Sequence, residues 1–152
     1  MLRLVLVFCT AMLLSGCLPL SFFASSKGYG GYQQKWGTYV SHSKVDAFCI
    51  SPKLRVAIMD FEGHFGRKIV MSSGYRNPFY NEKVGGADNS YHTKCMAADF
   101  FMPGVDKRKL IAYAMRNGNV GGLGCYPGRD FIHIDVRDRP RGWRKPVTFS
   151  GC

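Results

Sequence analysis

The chain has 152 residues, 46% of them hydrophobic and 20% charged, and a formal net charge of +11 at pH 7. This is enough apolar content for one core and too little charge for a disordered chain, at a length that argues for one domain. The basic balance suits a polyanionic partner without naming one.

The first residues read as an export signal. Arg3 is a minimal basic region, and Leu4 to Leu14 form an apolar stretch too short to span a bilayer. Leu14-Ser15-Gly16-Cys17 then resembles the bacterial lipobox, in which cleavage precedes a cysteine that is acylated. Residues 1–16 are therefore expected to be a signal peptide, and residues 17–32 a lipidated Cys17 followed by a flexible tether. Within that tether Ser26-Lys27-Gly28-Tyr29-Gly30-Gly31 favours flexibility. Leu18, in place of an acidic residue after the cysteine, points to the outer membrane and a periplasm-facing lipoprotein. Export also argues against nucleic acid as the partner, and no basic-aromatic recognition motif is present.

Residues 33–152 read as one folded domain. Gly37-Thr38-Tyr39-Val40 is a candidate short strand. Ser51-Pro52 supplies an N-cap and a proline at the first helical position. Leu54, Ala57, Ile58, Phe61 and Phe65 follow at helical spacing until Gly66 closes the helix. His64, in its last turn, reads as a surface histidine. Lys68 to Ser72 is a strand leading into Ser73-Gly74-Tyr75-Arg76, and Asn77-Pro78 with Gly85-Gly86 marks a long irregular loop. Ala97 to Met102 is a buried strand, and Asp106 caps a second helix from Lys107 to Arg116. Val120 to Tyr126 is a glycine-rich strand or turn. Phe131 to Val136 is a strand with His133 and Asp135 on one face and Ile132 and Ile134 on the other. Elements in this order predict an α+β domain, an antiparallel sheet with helices on one face.

Of six cysteines, Cys9 leaves with the signal and Cys17 is taken by lipid. Cys49, Cys95, Cys125 and Cys152 remain, an even number in an oxidising compartment. Two disulfides are expected, with all three connectivities open.

His92, Asp99 and His133 offer two imidazoles and a carboxylate, a set suited to catalytic zinc, with a fourth position left open. Seven residues of straight strand would hold His92 and Asp99 roughly 23 Å apart on opposite faces. Two helical turns would hold them about 10 Å apart. Both can meet one ion only if the chain folds back between them, near Thr93-Lys94-Cys95, with His133 arriving from a separate strand.

Ser73-Gly74-Tyr75-Arg76-Asn77-Pro78, Tyr80-Asn81, Val84-Gly85-Gly86-Ala87, Asn89-Ser90-x-His92, Ala97-Ala98-Asp99, Gly121-Gly122-Leu123-Gly124-x-Tyr126-Pro127 and Phe131-Ile132-His133-Ile134-Asp135 occur in fixed order. In these motifs, from about Cys49 to Trp143, the chain resembles the zinc D-Ala-D-Ala carboxypeptidases of the M15 peptidase family, in the subgroup of small periplasmic murein endopeptidases. The resemblance implies a zinc cleft on the sheet, with His92, Asp99 and His133 as ligands. It implies that Arg76 binds a substrate carboxylate or the oxyanion. Asp135, in the His-x-Asp motif, is the preferred general base; Asp130, three residues before His133, is the alternative. Either could instead orient a ligand imidazole. Trp143 is expected to pack near the site, and Arg137, Arg139, Arg141, Arg144 and Lys145 to form a solvated basic tail. The implied function is a zinc metallopeptidase cutting amide bonds next to D-amino acids in peptidoglycan peptides. Carboxypeptidase and endopeptidase share these motifs. The rival is a non-catalytic, zinc-containing murein-binding lipoprotein of the same fold.

Overall fold

The computed structural model describes residues 28–152, and the folded unit that carries the site is Tyr32–Cys152. The expected signal peptide and the expected lipid anchor at Cys17 lie outside the described residues. Trp36 and Gly37 both take positive φ (49° and 76°), as a tight two-residue hairpin requires. They join β1 (Gln33–Lys35) to β2 (Thr38–Val40). The chain continues through α1 (Pro52–Phe65), β3 (Val70–Ser73), α2 (Pro78–Lys83), a 3-10 turn (Tyr91–Lys94), β4 (Ala97–Phe101), α3 (Lys107–Ala114), β5 (Gly122–Gly124), β6 (Ile132–Asp135) and β7 (Val147–Phe149).

These seven strands form one sheet in the order β1-β2-β3-β4-β6-β5-β7. The central strands β3, β4, β6 and β5 are antiparallel, as expected, but β2 pairs with β3 and β5 with β7 in parallel. The sheet is therefore mixed at both ends. Each parallel pair is separated by a long connection, one containing α1 and the other containing β6, which is the length a crossover needs.

Alternation along the strands separates a packed face from a polar one. Met71, Ala98, Phe100, Ile132, Ile134 and Leu123 point into one cluster with Leu54, Ala57, Ile58 and Phe61 of α1 and Leu110 and Ala114 of α3. At its centre Phe61 meets Phe100 edge-on at 5.1 Å and Tyr113 at 4.8 Å. The two longer helices thus cover one face. The opposite parity, Asp99, His133 and Asp135, is left for the other.

Ser51 Oγ accepts from Leu54 N, and Gly66 closes α1 at φ 62°. α3 stops at Ala114, two residues short of expectation, with Asp106 as its cap. α2 is a helix where a loop was expected. Its start, Asn77 capping Tyr80 N at 2.8 Å with Pro78 next, repeats the logic of Ser51-Pro52. Trp143 is not near the site: it is 57% exposed and lies beside Met115 and Pro146.

Candidate metal centre

β4 and β6 are antiparallel neighbours in a register that sets Asp99 directly opposite His133 and Ala97 opposite Asp135. Cross-strand partners on one face lie close enough to touch, so this register alone brings the carboxylate to the imidazole. His92 arrives differently. Ser90 Oγ accepts from His92 N, Cys95 takes the left-handed conformation at φ 58°, and the chain reverses into β4. The reversal falls at the Thr93-Lys94-Cys95 position that the seven-residue spacing demanded.

Covalent and hydrogen bonds brace that turn. Cys49 and Cys95 form a disulfide with Cα atoms 5.2 Å apart, and Ser51 N donates to Cys95 O at 2.8 Å, tying the turn to the start of α1. Cys125 pairs with Cys152, joining the end of β5 to the C-terminus. Both expected bridges are therefore present in one of the three open connectivities, and Cys95 does not pair with Cys125.

The three ligand atoms lie within 4.8 Å of one another, and all three residues are buried. His133 Nδ1 is 2.8 Å from Asp99 Oδ1, and His92 Nε2 is 3.2 Å from both Asp99 Oδ1 and His133 Nδ1. The outer ring nitrogens decide the tautomers. His92 Nδ1 faces the carbonyl oxygen of Gly74 at 2.7 Å, so it carries the proton. His133 Nε2 faces Asp135 Oδ2 at 3.2 Å, so it carries the other. Two bare nitrogens and a carboxylate oxygen then converge with nothing but lone pairs between them. Such a set is stable around a cation, and its types and number are those of a three-ligand zinc site. The residues present fit the metal.

When protons rather than a cation fill the cluster, the inward-facing ring nitrogens donate to Asp99 instead. Burial by itself would raise the Asp99 carboxyl, but hydrogen bonds from His133 and His92 hold it well below the usual carboxylate range. Burial would lower His133, yet the hydrogen bonds to Asp135 and Asp99 raise it. Burial would raise Asp135 as well, and bonds from His133 and Arg137 bring it down to about 2.

Arg76 Nη2 donates to Asp99 Oδ2 at 2.7 Å and its Nε to Ser73 Oγ at 2.8 Å, which leaves Oδ1 of Asp99 for the cluster. Arg76 N also donates to His92 O at 3.3 Å. Asp135 is buried and lies on the far nitrogen of His133 from the cluster, gripped by Arg137 through Nε at 2.8 Å and Nη2 at 2.5 Å. That position is behind the His133 imidazole rather than beside the converging lone pairs. Asp130 lies exposed on the loop before β6, and no hydrogen bond joins it to the cluster among the described residues. Its neighbours Arg129 and Phe131 line a cavity there.

Two cavities flank the cluster. One, of about 610 Å³, has His92 and His133 in its wall; the other, of about 480 Å³, has Asp99. Arg76, Val84 and Tyr126 line both. Val84 and the Gly85-Gly86 pair follow directly from α2, which makes the unexpected helix a wall of the cleft.

Sequence reasoning missed several supporting residues. Arg137, assigned to a solvated tail, holds Asp135 and stacks over Tyr91 at 4.5 Å. Arg139 likewise turns inward, donating to the carbonyls of Asn117 and Val120. Gly122 and Gly124 of β5 face Asp135 and His133 across the strand. A β-carbon on Gly122 would stand 2.3 Å from Asp135 Oδ2.

The family model for peptidase M15 matches residues 32–135, which span every element from β1 to β6 and all three converging residues, His92, Asp99 and His133. The chain belongs to the peptidase M15 family. Among its relatives, this M15 chain is 35% identical over 96 residues to the peptidoglycan L,D-endopeptidase MepK of Escherichia coli strain K12, covering 57% of this chain and 51% of the relative. It is 32% identical over 126 residues to a probable peptidoglycan L,D-endopeptidase MepK of Haemophilus influenzae, covering 75% and 66% respectively. The chain thus spans about half the length of the Escherichia coli relative it matches. Among the described residues no helix is long and apolar enough to cross a membrane.

Proposed function

We propose that this M15 member is a zinc-dependent peptidoglycan endopeptidase, hydrolysing an amide bond next to a D-configured residue in murein peptides. The observation that carries the reading is the convergence of His92 Nε2, His133 Nδ1 and Asp99 Oδ1 between two cavities. Space on both sides of the cluster suits a chain passing through rather than a terminal residue held in a closed end. That agrees with the L,D-endopeptidase activity in the names of the relatives.

Held by His92, Asp99 and His133, zinc would supply Lewis acidity, polarising the scissile carbonyl and acidifying the attacking water. The residues do the rest. Gly74 O and Asp135 keep the two imidazoles in the ligand tautomer and orientation. Arg76, already fixed by Asp99 and Ser73, lines both cavities and stabilises the negative charge that develops on the carbonyl oxygen. Asp135 is fully engaged, so the general base falls to Asp130. Its carboxylate takes the proton of the attacking water and returns it to the leaving amine nitrogen. Acylation of Cys17 would hold the domain at the membrane, facing the murein. Cys17→Ser should release it into the soluble fraction; unchanged fractionation and mobility would remove the anchor from the reading.

The test is digestion of purified murein with and without a chelator, followed by mass analysis of the products. Chelator-sensitive peptide fragments, restored by zinc, are expected. Binding to murein without any fragment would leave a non-catalytic binding lipoprotein. His92→Ala, Asp99→Ala and His133→Ala should each strip zinc or greatly weaken its binding. Stoichiometric zinc in all three variants would sink the ligand assignment.

A further inference from the structure

The two cavities differ in charge. The lining of the one beside His92 and His133 includes Arg76, Lys94 and Arg137 and no Asp or Glu, whereas the one beside Asp99 also carries Asp46. Two of the three cations in the first are already committed, Arg76 to Asp99 and Arg137 to Asp135. Lys94 makes no ion pair among the described residues. Its ammonium stands 5.2 Å from the centre of the Tyr91 ring, whose face also receives Arg137. We propose that this cavity is a carboxylate subsite and that Lys94 is the residue that selects a substrate bearing a free carboxylate over its amide. The inference rests on the peptidase reading and extends it to the anionic side of the stem peptide.

Position supports the assignment. Lys94 ends the 3-10 turn two residues after His92, so its backbone is fixed relative to the cluster by the same turn that delivers the ligand. The Cys49–Cys95 bridge follows at once and holds the turn to α1. Beside it the wall is neutral: Gly85, Gly86 and Ala87 give room, and Asn89 and Ser90 offer hydrogen-bonding groups suited to a peptide backbone. The Gly86 wall is itself set by Asn81, whose side-chain Nδ2 donates to Ala87 O at 2.9 Å and whose backbone oxygen accepts from Gly86 N at 2.8 Å. A carboxylate entering this space meets one uncommitted ammonium in a field made positive by two guanidiniums, and no acid in the wall repels it. An amide in the same place would gain no charge-assisted bond.

The experiment uses the full chain, wild type and Lys94→Gln, with two synthetic murein peptides that differ in one group, a free α-carboxylate or its carboxamide. Calorimetry reads binding and product analysis reads cleavage. The wild type should bind the acid roughly tenfold more tightly than the amide, and Lys94→Gln should lose that preference by weakening on the acid alone. Under turnover the same preference should appear in KM, with kcat nearly unchanged, and Lys94→Arg should retain it. Equal binding of acid and amide by the wild type would overturn the subsite. So would a Lys94→Gln variant that keeps the preference or weakens equally on both peptides. If the wild type binds with the expected preference but cleaves neither peptide, the subsite stands and the peptidase reading fails.

Discussion

Replacing Asp135 with Asn keeps the side-chain volume and removes the charge, so it isolates what this carboxylate does. Asp135 has no exposed surface. It accepts four bonds: Oδ1 from Arg137 N at 3.1 Å and Nε at 2.8 Å, and Oδ2 from Arg137 Nη2 at 2.5 Å and His133 Nε2 at 3.2 Å. An amide has one oxygen and can keep two of these four; its NH₂ then faces two other donors, whichever way it is turned. Arg137 also loses its counter-charge. Breaking a fully buried pair costs about 3–5 kcal/mol, and the cost here should be lower because Arg137 is only partly buried. At the metal, loss of the partner that fixes the His133 tautomer should weaken zinc binding about 10–100-fold. Competition against a chelating dye measures that affinity, and hydrolysis is followed while zinc is titrated back. Partial recovery of activity at high zinc is the expected result, while Asp130→Asn should keep its zinc and lose about 10²–10⁴-fold in rate. The opposite pattern would refute the reasoning: an Asp135→Asn variant with normal zinc and no rescue, beside an active Asp130→Asn, makes Asp135 the base.

Other expectations follow from the same geometry. A β-carbon on Gly74 would stand 2.0 Å from Asp46 O and 2.8 Å from Met71 Sδ, so Gly74→Ala should cost about 1–3 kcal/mol and roughly 4 °C or more in Tm; an unchanged melt would contradict this close approach. Cys49→Ser with Cys95→Ser opens a bridge of sequence separation 46, worth about 4 kcal/mol on a chain-entropy account. Denaturant unfolding should show that loss, and zinc affinity should fall with it because the turn carrying His92 is freed. For acid stability of the chelated protein, the sign follows from depressed carboxyls: Asp135 is at about 2 and Asp99 is lower still, against an ordinary value of about 4. The folded state therefore binds fewer protons in this window, so their stabilisation is complete above about pH 4 and is lost as the pH falls toward 2. Thermal melts across that range should be flatter for Asp135→Asn.

Where a local signal and the tertiary structure agreed, the sequence was a reliable guide. Ser51-Pro52 and Gly66 bracketed α1 because capping is decided by residues a few positions apart. Asn77-Pro78 carries the same signal for α2, but the glycines that follow it mark a loop just as strongly, and six residues are too few to show a helical face. The parallel pairs at the sheet edges were not legible. Strands of three residues such as β2, β5 and β7 carry almost no periodicity, and their direction is set by connections that pass over or beyond the central strands.

The site divides along the same line. The convergence of His92 and Asp99 was legible because a fixed spacing excluded straight strand and straight helix, leaving only a turn. The placement of Asp135 was not, because it depends on which ring nitrogen of His133 the carboxylate meets, and alternation along β6 says only that the two side chains share a face. Arg137 was hidden for a related reason: among several basic neighbours nothing local distinguishes the one whose guanidinium turns back to Asp135. One signal was present in the chain and went unused. Gly122 and Gly124 repeat at a period of two, and His133 and Asp135 do the same further along the chain. Antiparallel pairing sets Gly124 against His133 and Gly122 against Asp135. At Gly122 the Asp135 carboxylate and the Arg137 guanidinium occupy the space a β-carbon would need, and at Gly124 the Phe149 and Tyr126 rings and the β-carbon of His133 do so. Polar residues at period two in one strand and glycines at period two in a nearby strand together describe one half-built face, with the large groups on one strand and their clearance on the other.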